Sequence, residues 1–101
     1  MNKKYLPIVQ KLKAYNPQKV ILFGSQAWGK PNRNSDIDLL IIKNTKSGYY
    51  DRIPEARKHL LDLDNAFDIL VLTSQELKDK VKQNDFFFNK IMKQGKVLYE
   101  R

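Results

Sequence analysis

Hydrophobic and polar positions follow two different periods along this chain of 101 residues. Between Tyr5 and Leu12, apolar side chains recur at spacings of three and four residues, which predicts an amphipathic helix. The short apolar run from Val20 to Phe23 is rich in residues that favour strands, so we expect a buried strand there. The segment from Gly24 to Asn34 is polar and contains two glycines, which predicts a loop with room for one helical turn after Ser25.

The same alternation continues through the middle of the chain. The runs from Ile37 to Ile42 and from Phe67 to Leu72 predict a second and a third strand. Roughly Tyr50 to Leu63 is expected to be helical between them, with Pro54 near the start of that helix. Thr73 to Glu76 has the capping-box pattern that opens another helix.

A last helix and a short strand are predicted near the end of the sequence. Asn84 or Asp85 is the expected N-terminal cap of this helix, and Gly95 is expected to end it as a C′ residue. A strand from Lys96 to Tyr99, at the edge of a sheet, follows. Strands separated by helices indicate α/β packing around one sheet. The inward-facing residues of the last helix are predicted to be Phe87, Ile91 and, as a further candidate, Phe88.

Composition limits the classes of protein to which the chain can belong. Its length predicts one domain spanning residues 1–101, and its 42% hydrophobic and 30% charged residues are typical of a soluble globular protein. Without cysteine there is no disulfide framework, which suits a cytoplasmic location. No apolar run approaches the roughly 18 residues of a membrane span, so we expect no membrane partner. The net charge of +8 either favours anionic partners or serves only solubility.

Two carboxylates interrupt the second predicted strand. Asp36 and Asp38 share one face of it, because successive side chains in a strand point to opposite faces. Neighbouring carboxylates repel each other, and a divalent cation removes that repulsion. Mg²⁺ prefers oxygen ligands and keeps positions free for phosphate oxygens. The pattern therefore indicates a Mg²⁺–nucleotide site, although Asp-x-Asp also occurs by chance in many loops.

Two further features agree with such a site. Gly24 and Ser25 follow a strand directly, where glycine allows a phosphate to approach the backbone closely and serine offers an N–H and a hydroxyl. Asp68 lies at the head of the third strand, and it faces the same site if this strand lies beside that of Asp36 and Asp38. Three carboxylates suit a two-metal site. Each feature also has a simpler interpretation, namely a strand-ending turn for Gly24-Ser25 and a solvated strand end for Asp68.

The combination of Gly24-Ser25, a ten-residue spacer, Asp36-Ile37-Asp38 and a distant Asp68 resembles the polymerase-β nucleotidyltransferase superfamily. More narrowly, the chain resembles the minimal nucleotidyltransferase domains of the MntA antitoxin type. In those domains a Gly-Ser turn leads to Ser-Asp-x-Asp-Leu, matched here by Ser35 to Leu39, and the closing residues Gln94 to Glu100 are similar as well. The resemblance implies a nucleotidyltransferase fold, with a mixed central sheet of about four strands flanked by helices.

The resemblance also implies an activity, which is transfer of a nucleoside monophosphate, such as AMP from ATP, with release of pyrophosphate. By position, Asp36, Asp38 and Asp68 are the implied catalytic and metal-binding residues, for two Mg²⁺ ions. The implied nucleotide-binding residues are Gly24, Ser25, Arg33 and Ser35. The family further implies a HEPN-type helical partner of a toxin–antitoxin pair, with a tyrosine hydroxyl as the acceptor.

Some positions depart from the family pattern. Many relatives carry arginines where this chain has Gln26 and Trp28, so Arg33 or Lys30 is a candidate replacement as a phosphate ligand. Trp28 could stack on a base or pack under the loop. Two other functions are compatible with the sequence, namely a non-catalytic module that binds a nucleotide or a partner, and a basic nucleic-acid-binding protein. The second is disfavoured, though not excluded, because the chain has no concentrated basic tract.

Overall fold

The protein forms four strands and five α-helices in a computed structural model that describes residues 3–30 and 36–101. Three short 3-10 segments extend helix ends or connections, at Lys3–Tyr5, Lys13–Tyr15 and Lys58–Leu60. In chain order the elements are α1 (Leu6–Leu12), β1 (Lys19–Phe23), α2 (Ser25–Trp28), β2 (Ile37–Ile42), α3 (Tyr49–Arg57), β3 (Phe67–Leu72), α4 (Ser74–Lys82), α5 (Phe86–Gln94) and β4 (Lys96–Glu100).

The strands form one mixed sheet in the order β3-β2-β1-β4. β1 pairs antiparallel with both β2 and β4, whereas β2 and β3 run parallel, joined by a crossover that contains α3. This arrangement confirms the expected mixed sheet of about four strands flanked by helices. It also makes β4 an edge strand, as its position in the sequence predicted.

Each face of the sheet is covered by different helices. Alternate residues of the strands, such as Leu39 and Ile41, pack against α1 and α3 on one face. The other face, including Phe23 and Leu40, packs against Phe88 of α5 and neighbouring side chains of α4 and α5. Asp38 lies two residues before Leu40 in β2, so the alternation places its side chain on this second face.

The sequence predicted most element boundaries within one or two residues. The bounds of β2 and β3 are those expected, the helical turn begins at Ser25, and Thr73 forms a complete capping box with Glu76. The helix predicted over residues 50–63 is shorter: α3 ends at Arg57 and continues as the 3-10 segment. Pro54 lies inside α3 rather than near its start.

The last helix confirms two predictions, its cap and its end, and corrects a third. Asp85 caps it, and its carboxylate accepts hydrogen bonds from the backbone N–H groups of Phe87 and Phe88. Phe88, at 8% exposure, is the inward phenylalanine, whereas Phe87 is 42% exposed and was wrongly predicted to be buried. Gly95 ends the helix, as predicted, and its backbone is extended. A glycine is still required there, because a Cβ would stand 2.8 Å from the Cγ2 atom of Ile21.

Across the residues that the structure describes, no helix combines the length and the apolar character needed to cross a membrane.

Candidate functional site

The parallel register of β2 and β3 brings two of the predicted site residues together. Asp38 is directly paired with Asp68, so both carboxylates project from the same face at neighbouring positions. On the other side of β2, Asp38 is paired with Phe23, the last residue of β1. The site therefore lies where β1 ends and where β2 and β3 begin.

The glycine of the Gly-Ser turn lies against one of these carboxylates. Gly24 has φ +72° and ψ −154°, a backbone conformation that is essentially restricted to glycine. A Cβ at this position would overlap the Oδ2 atom of Asp38 and stand 3.0 Å from its Cγ atom. Ser25 begins α2 immediately afterwards. The turn, the serine and the Asp38 carboxylate therefore share one edge of the sheet.

Burial and neighbouring charge both act on Asp38. Its pKa is raised above the ordinary aspartate value, first because the carboxylate is partly buried, then because Asp68 and Asp36 repel it. Asp36 and Asp68 are themselves exposed. The site thus concentrates negative charge that a cation would offset.

The fit of this site to a metal ion depends on its donor atoms. Within residues 3–30 and 36–101, no group of three aspartate, glutamate, histidine or cysteine side chains is placed to hold a metal ion. The predicted three-carboxylate cluster is thus not formed, although Asp38 and Asp68 are adjacent. Their hard oxygen donors still suit Mg²⁺, which takes further ligands from water and from phosphate oxygens.

Two predicted nucleotide-binding residues, Arg33 and Ser35, lie outside the described residues. Lys30, the alternative to Arg33, is the last described residue before them and is exposed. Gly24 and Ser25 are therefore the predicted nucleotide-binding residues that the structure places at the site.

Comparison with known protein families identifies the chain. A family model described as "Polymerase beta, Nucleotidyltransferase" matches residues 7–101. The chain belongs to the polymerase beta nucleotidyltransferase family. A protein of Methanocaldococcus jannaschii named "Putative protein adenylyltransferase MJ0604" is 38% identical over 82 residues, covering 81% of this chain and 78% of the relative. The chain is therefore a nucleotidyltransferase, and it is similar to this one protein named a putative protein adenylyltransferase.

Solved structures agree on the nucleotidyltransferase fold. A crystal structure of a toxin–antitoxin with AMP-PNP has a TM-score of 0.61 at 24% identity, covering 100% of this chain and 75% of that one. A structure described as "a putative nucleotidyltransferase from Sulfolobus solfataricus" has a TM-score of 0.62 at 22% identity, covering 94% and 75%. A crystal structure of the toxin–antitoxin MntA–HepT has a TM-score of 0.51 at 22% identity, and the match covers 93% of this chain and 68% of that one.

Gln26, one of the two positions at which the chain departs from the arginine pattern that the resemblance implies, has a structural role. Gln26 is only 7% exposed, and its Oε1 atom accepts hydrogen bonds from Tyr5 Oη at 2.8 Å and from Lys4 Nζ at 3.0 Å. These contacts join α2 to the N-terminal segment. Sequence reasoning could not find this role, because the partners of Gln26 lie far away in the chain.

The other such position, Trp28, packs beside the site. Its ring lies 6.5 Å from that of Phe23, which confirms that it packs under the turn, as one of the two interpretations expected. The Lys90 Nζ atom stands over the indole, 4.9 Å from the ring centroid. Phe87 lies edge-on to Phe23 at 5.5 Å. The nucleotidyltransferase site is therefore bordered by an aromatic group to which α2 and α5 both contribute.

A second polar cluster lies at the opposite end of the parallel strand pair. Arg52 of α3 is 6% exposed, donates to the Ser47 carbonyl and pairs with Glu76 at 2.6 Å. This contact holds the pKa of Glu76 below its usual value, chiefly through the hydrogen bond from the guanidinium. Arg52 also donates to the carbonyl of Val71 near the end of β3, whereas Asp68 is near its start. The cluster stabilises the fold and is separate from the carboxylate site.

Proposed function

We propose that this nucleotidyltransferase transfers AMP from Mg²⁺–ATP to a hydroxyl group. The observation that carries the proposal is the pairing of Asp38 with Asp68 across β2 and β3, with Gly24 packed on the Asp38 carboxylate. Adjacent carboxylates at a glycine turn provide no core packing, whereas they suit a phosphate-bearing substrate with its counter-ion. The similarity to an adenylyltransferase of M. jannaschii supports AMP as the transferred group.

The proposed roles follow from position. The Gly24-Ser25 turn binds the triphosphate, because the backbone at Gly24 has no side chain in the way and Ser25 offers a hydroxyl. Arg33 and Ser35 are proposed as further nucleotide ligands. The acceptor oxygen forms a bond to the α-phosphorus, and the bond from that phosphorus to the bridging oxygen breaks, so that pyrophosphate leaves with the electron pair. The exposed carboxylate of Asp68 accepts the acceptor's proton.

The directly paired Asp38 and Asp68 would hold the metal, with the exposed carboxylate of Asp36, two residues before Asp38, as a further proposed ligand. Two Mg²⁺ ions, when bound, would neutralise phosphate charge and lower the pKa of the attacking hydroxyl. The protein's own contribution is to keep the carboxylates adjacent, so that charge neutralisation and substrate positioning coincide. Reactions of this class depend mainly on those two effects.

For the acceptor we propose a tyrosine of a HEPN-type helical partner, as in a toxin–antitoxin pair. The MntA–HepT and AMP-PNP toxin–antitoxin structures share this fold, which supports a partner of that kind. The surface near the site also offers apolar area for docking, since Phe86 is 82% exposed and Phe87 is 42% exposed. A tyrosine on a folded partner is long enough to reach an open carboxylate site.

The test is co-expression with a HEPN-type protein encoded beside this chain, followed by intact mass spectrometry of both chains under saturating Mg²⁺–ATP. We expect added mass on the partner in AMP increments. Asp38→Asn should lower the rate about a thousandfold, since several kcal/mol of metal stabilisation is lost and each ~1.4 kcal/mol is tenfold. It should not lower stability, because it removes charge repulsion. Asp79→Asn, on the exposed surface of α4, is the matched control.

Each result decides between functions. Co-purification without added mass would favour the non-catalytic binding module. Added AMP on the partner that persists in Asp38→Asn would reject the carboxylate mechanism. Failure of the two chains to associate would remove the HEPN proposal and leave a small-molecule or nucleic-acid acceptor.

A further inference from the structure

The structure provides a cation beside the Gly-Ser turn from a distant part of the chain. Trp28, in the helical turn that follows Gly24, carries no charge of its own to offset a phosphate. The ammonium group of Lys90 lies over its ring, 4.9 Å from the ring centroid. A cation over the face of tryptophan is held by the ring's negative electrostatic surface. The position therefore still has a positive charge, supplied by α5.

Trp28 and Phe23 lie between Lys90 and Asp38 as a series of neighbouring residues. Phe23 is paired with Asp38 across the sheet, and its ring contacts both Trp28 and Phe87. Trp28 also lies in the single helical turn that Ser25 begins. Its backbone N–H donates a hydrogen bond to the Gly24 carbonyl oxygen at 3.0 Å. Lys90 is therefore located beside the turn proposed to bind the triphosphate and on the same sheet face as Asp38.

The helix that carries Lys90 is firmly attached to this face. Asp85 caps its first turn, and Phe88 and Ile91 are buried against the sheet. Phe87 and Lys90 are three residues apart, so they lie on the same side of α5. Lys90 remains partly exposed, so its ammonium group can reach an anion while its stem rests on the indole.

We propose that Lys90 binds the β- and γ-phosphates of the nucleotide and offsets the negative charge that develops on pyrophosphate as it leaves. This inference rests on the proposed nucleotidyl transfer and specifies a cation that binds the phosphate groups of its substrate. Lys90 forms no covalent bond in this step, and the electron pair of the broken phosphorus–oxygen bond remains on pyrophosphate. An ammonium suits this role as a compact point charge that does not require the fork geometry of arginine.

Three variants separate the proposal from a packing role. Lys90→Met keeps an apolar stem over Trp28 and removes the charge, whereas Lys90→Arg keeps the charge. Lys93→Met removes an exposed lysine one turn further along α5 and is the matched control. Calorimetry measures the affinity for Mg²⁺–ATP and for inorganic pyrophosphate with Mg²⁺. Trp28 is the chain's single tryptophan, so its emission reports directly on this position.

We expect Lys90→Met to weaken both affinities about tenfold to a hundredfold, the range of a lost charge-assisted hydrogen bond. The KM for ATP should rise by a similar factor, and Lys90→Arg should restore both affinities to within a few-fold. Lys93→Met should stay close to the wild type. Adding pyrophosphate should change Trp28 emission in the wild type and much less in Lys90→Met.

The opposite results are equally specific. If Lys90→Met transfers AMP and binds pyrophosphate like the wild type, Lys90 is only a packing residue and the proposed function stands. An equal loss in Lys93→Met would overturn the proposal in favour of general surface charge. If the wild type binds neither Mg²⁺–ATP nor pyrophosphate, the proposed function and this inference both fail.

Discussion

Replacing Gly24 with alanine tests the contact on which the site depends. The backbone at this position has φ +72° and ψ −154°, where a residue with a side chain is strained by about 1–3 kcal/mol. Alanine also restricts the unfolded chain, which offsets about 0.4–1 kcal/mol of that strain. The two ranges leave a net destabilisation of about 0–2.6 kcal/mol for Gly24→Ala, with a midpoint of about 1.3 kcal/mol. It should lower Tm by about 4–8 °C for each kcal/mol in a domain of this size.

The effect on activity should exceed the effect on stability. The added Cβ would overlap the Asp38 Oδ2 atom, so the carboxylate or the turn must move by a large part of an atomic diameter. A displacement of about 1 Å at a reacting centre can cost about a hundredfold in rate. We therefore expect about a hundredfold slower AMP transfer at temperatures where Gly24→Ala is fully folded.

The measurements are urea unfolding for stability and intact mass spectrometry for transfer. Gly48→Ala is the matched control, because Gly48 has φ −62° and its Cβ would meet only the Asp51 carboxylate, at 3.4 Å. This variant should change stability by a few tenths of a kcal/mol and leave transfer intact. If Gly24→Ala proves as stable and as active as Gly48→Ala, the close approach of the turn to Asp38 has no functional importance.

Two further predictions concern the fold. The pKa of Glu76 is lowered by Arg52, so the stabilisation from this pair is complete above pH 4.5, the ordinary glutamate value, and disappears as the pH falls through the lower folded value. In urea unfolding, Glu76→Gln should cost up to about 1 kcal/mol at neutral pH and nothing in strong acid; a difference independent of pH would contradict this. Tyr15→Phe should not destabilise, because this buried hydroxyl has no hydrogen-bond partner among the described residues. Tyr5→Phe, equally buried, should cost about 0.5–1.5 kcal/mol through its lost bond to Gln26, and equal effects of the two variants would refute this reasoning.

The strands were predictable because their signal is local. An uninterrupted apolar run flanked by polar residues determines the bounds of Ile37–Ile42 and Phe67–Leu72, and the alternation of side chains places Asp36 and Asp38 on one face. The adjacency of Asp38 to Asp68 was conditional, because strand order depends on contacts between distant segments. The sheet meets that condition by pairing the two strands in parallel.

Other features depend on tertiary contacts that no local pattern contains. Three consecutive phenylalanines, Phe86–Phe88, offer several possible inward faces, and the position of the Asp85 cap over the sheet selects Phe88. Gln26 is buried because the N-terminal helix brings Tyr5 against it. In the same way, nothing in the sequence near Trp28 indicates that Lys90 lies over its ring.

The pairing of β1 with β4 has a consequence for the order in which the domain assembles. β1 and β2 are close in sequence, so their pairing requires only a short loop to close, whereas Lys19 pairs with Glu100 almost a whole chain length away. Closing a longer loop costs more conformational entropy, and contacts between distant segments slow folding. β1 and β2, whose pairing places Phe23 beside Asp38, can thus associate before β4 joins the sheet. The helix α5 directly precedes β4, so it packs on the sheet late. The half of the site that carries Lys90 is therefore expected to be the last to form and the first to open.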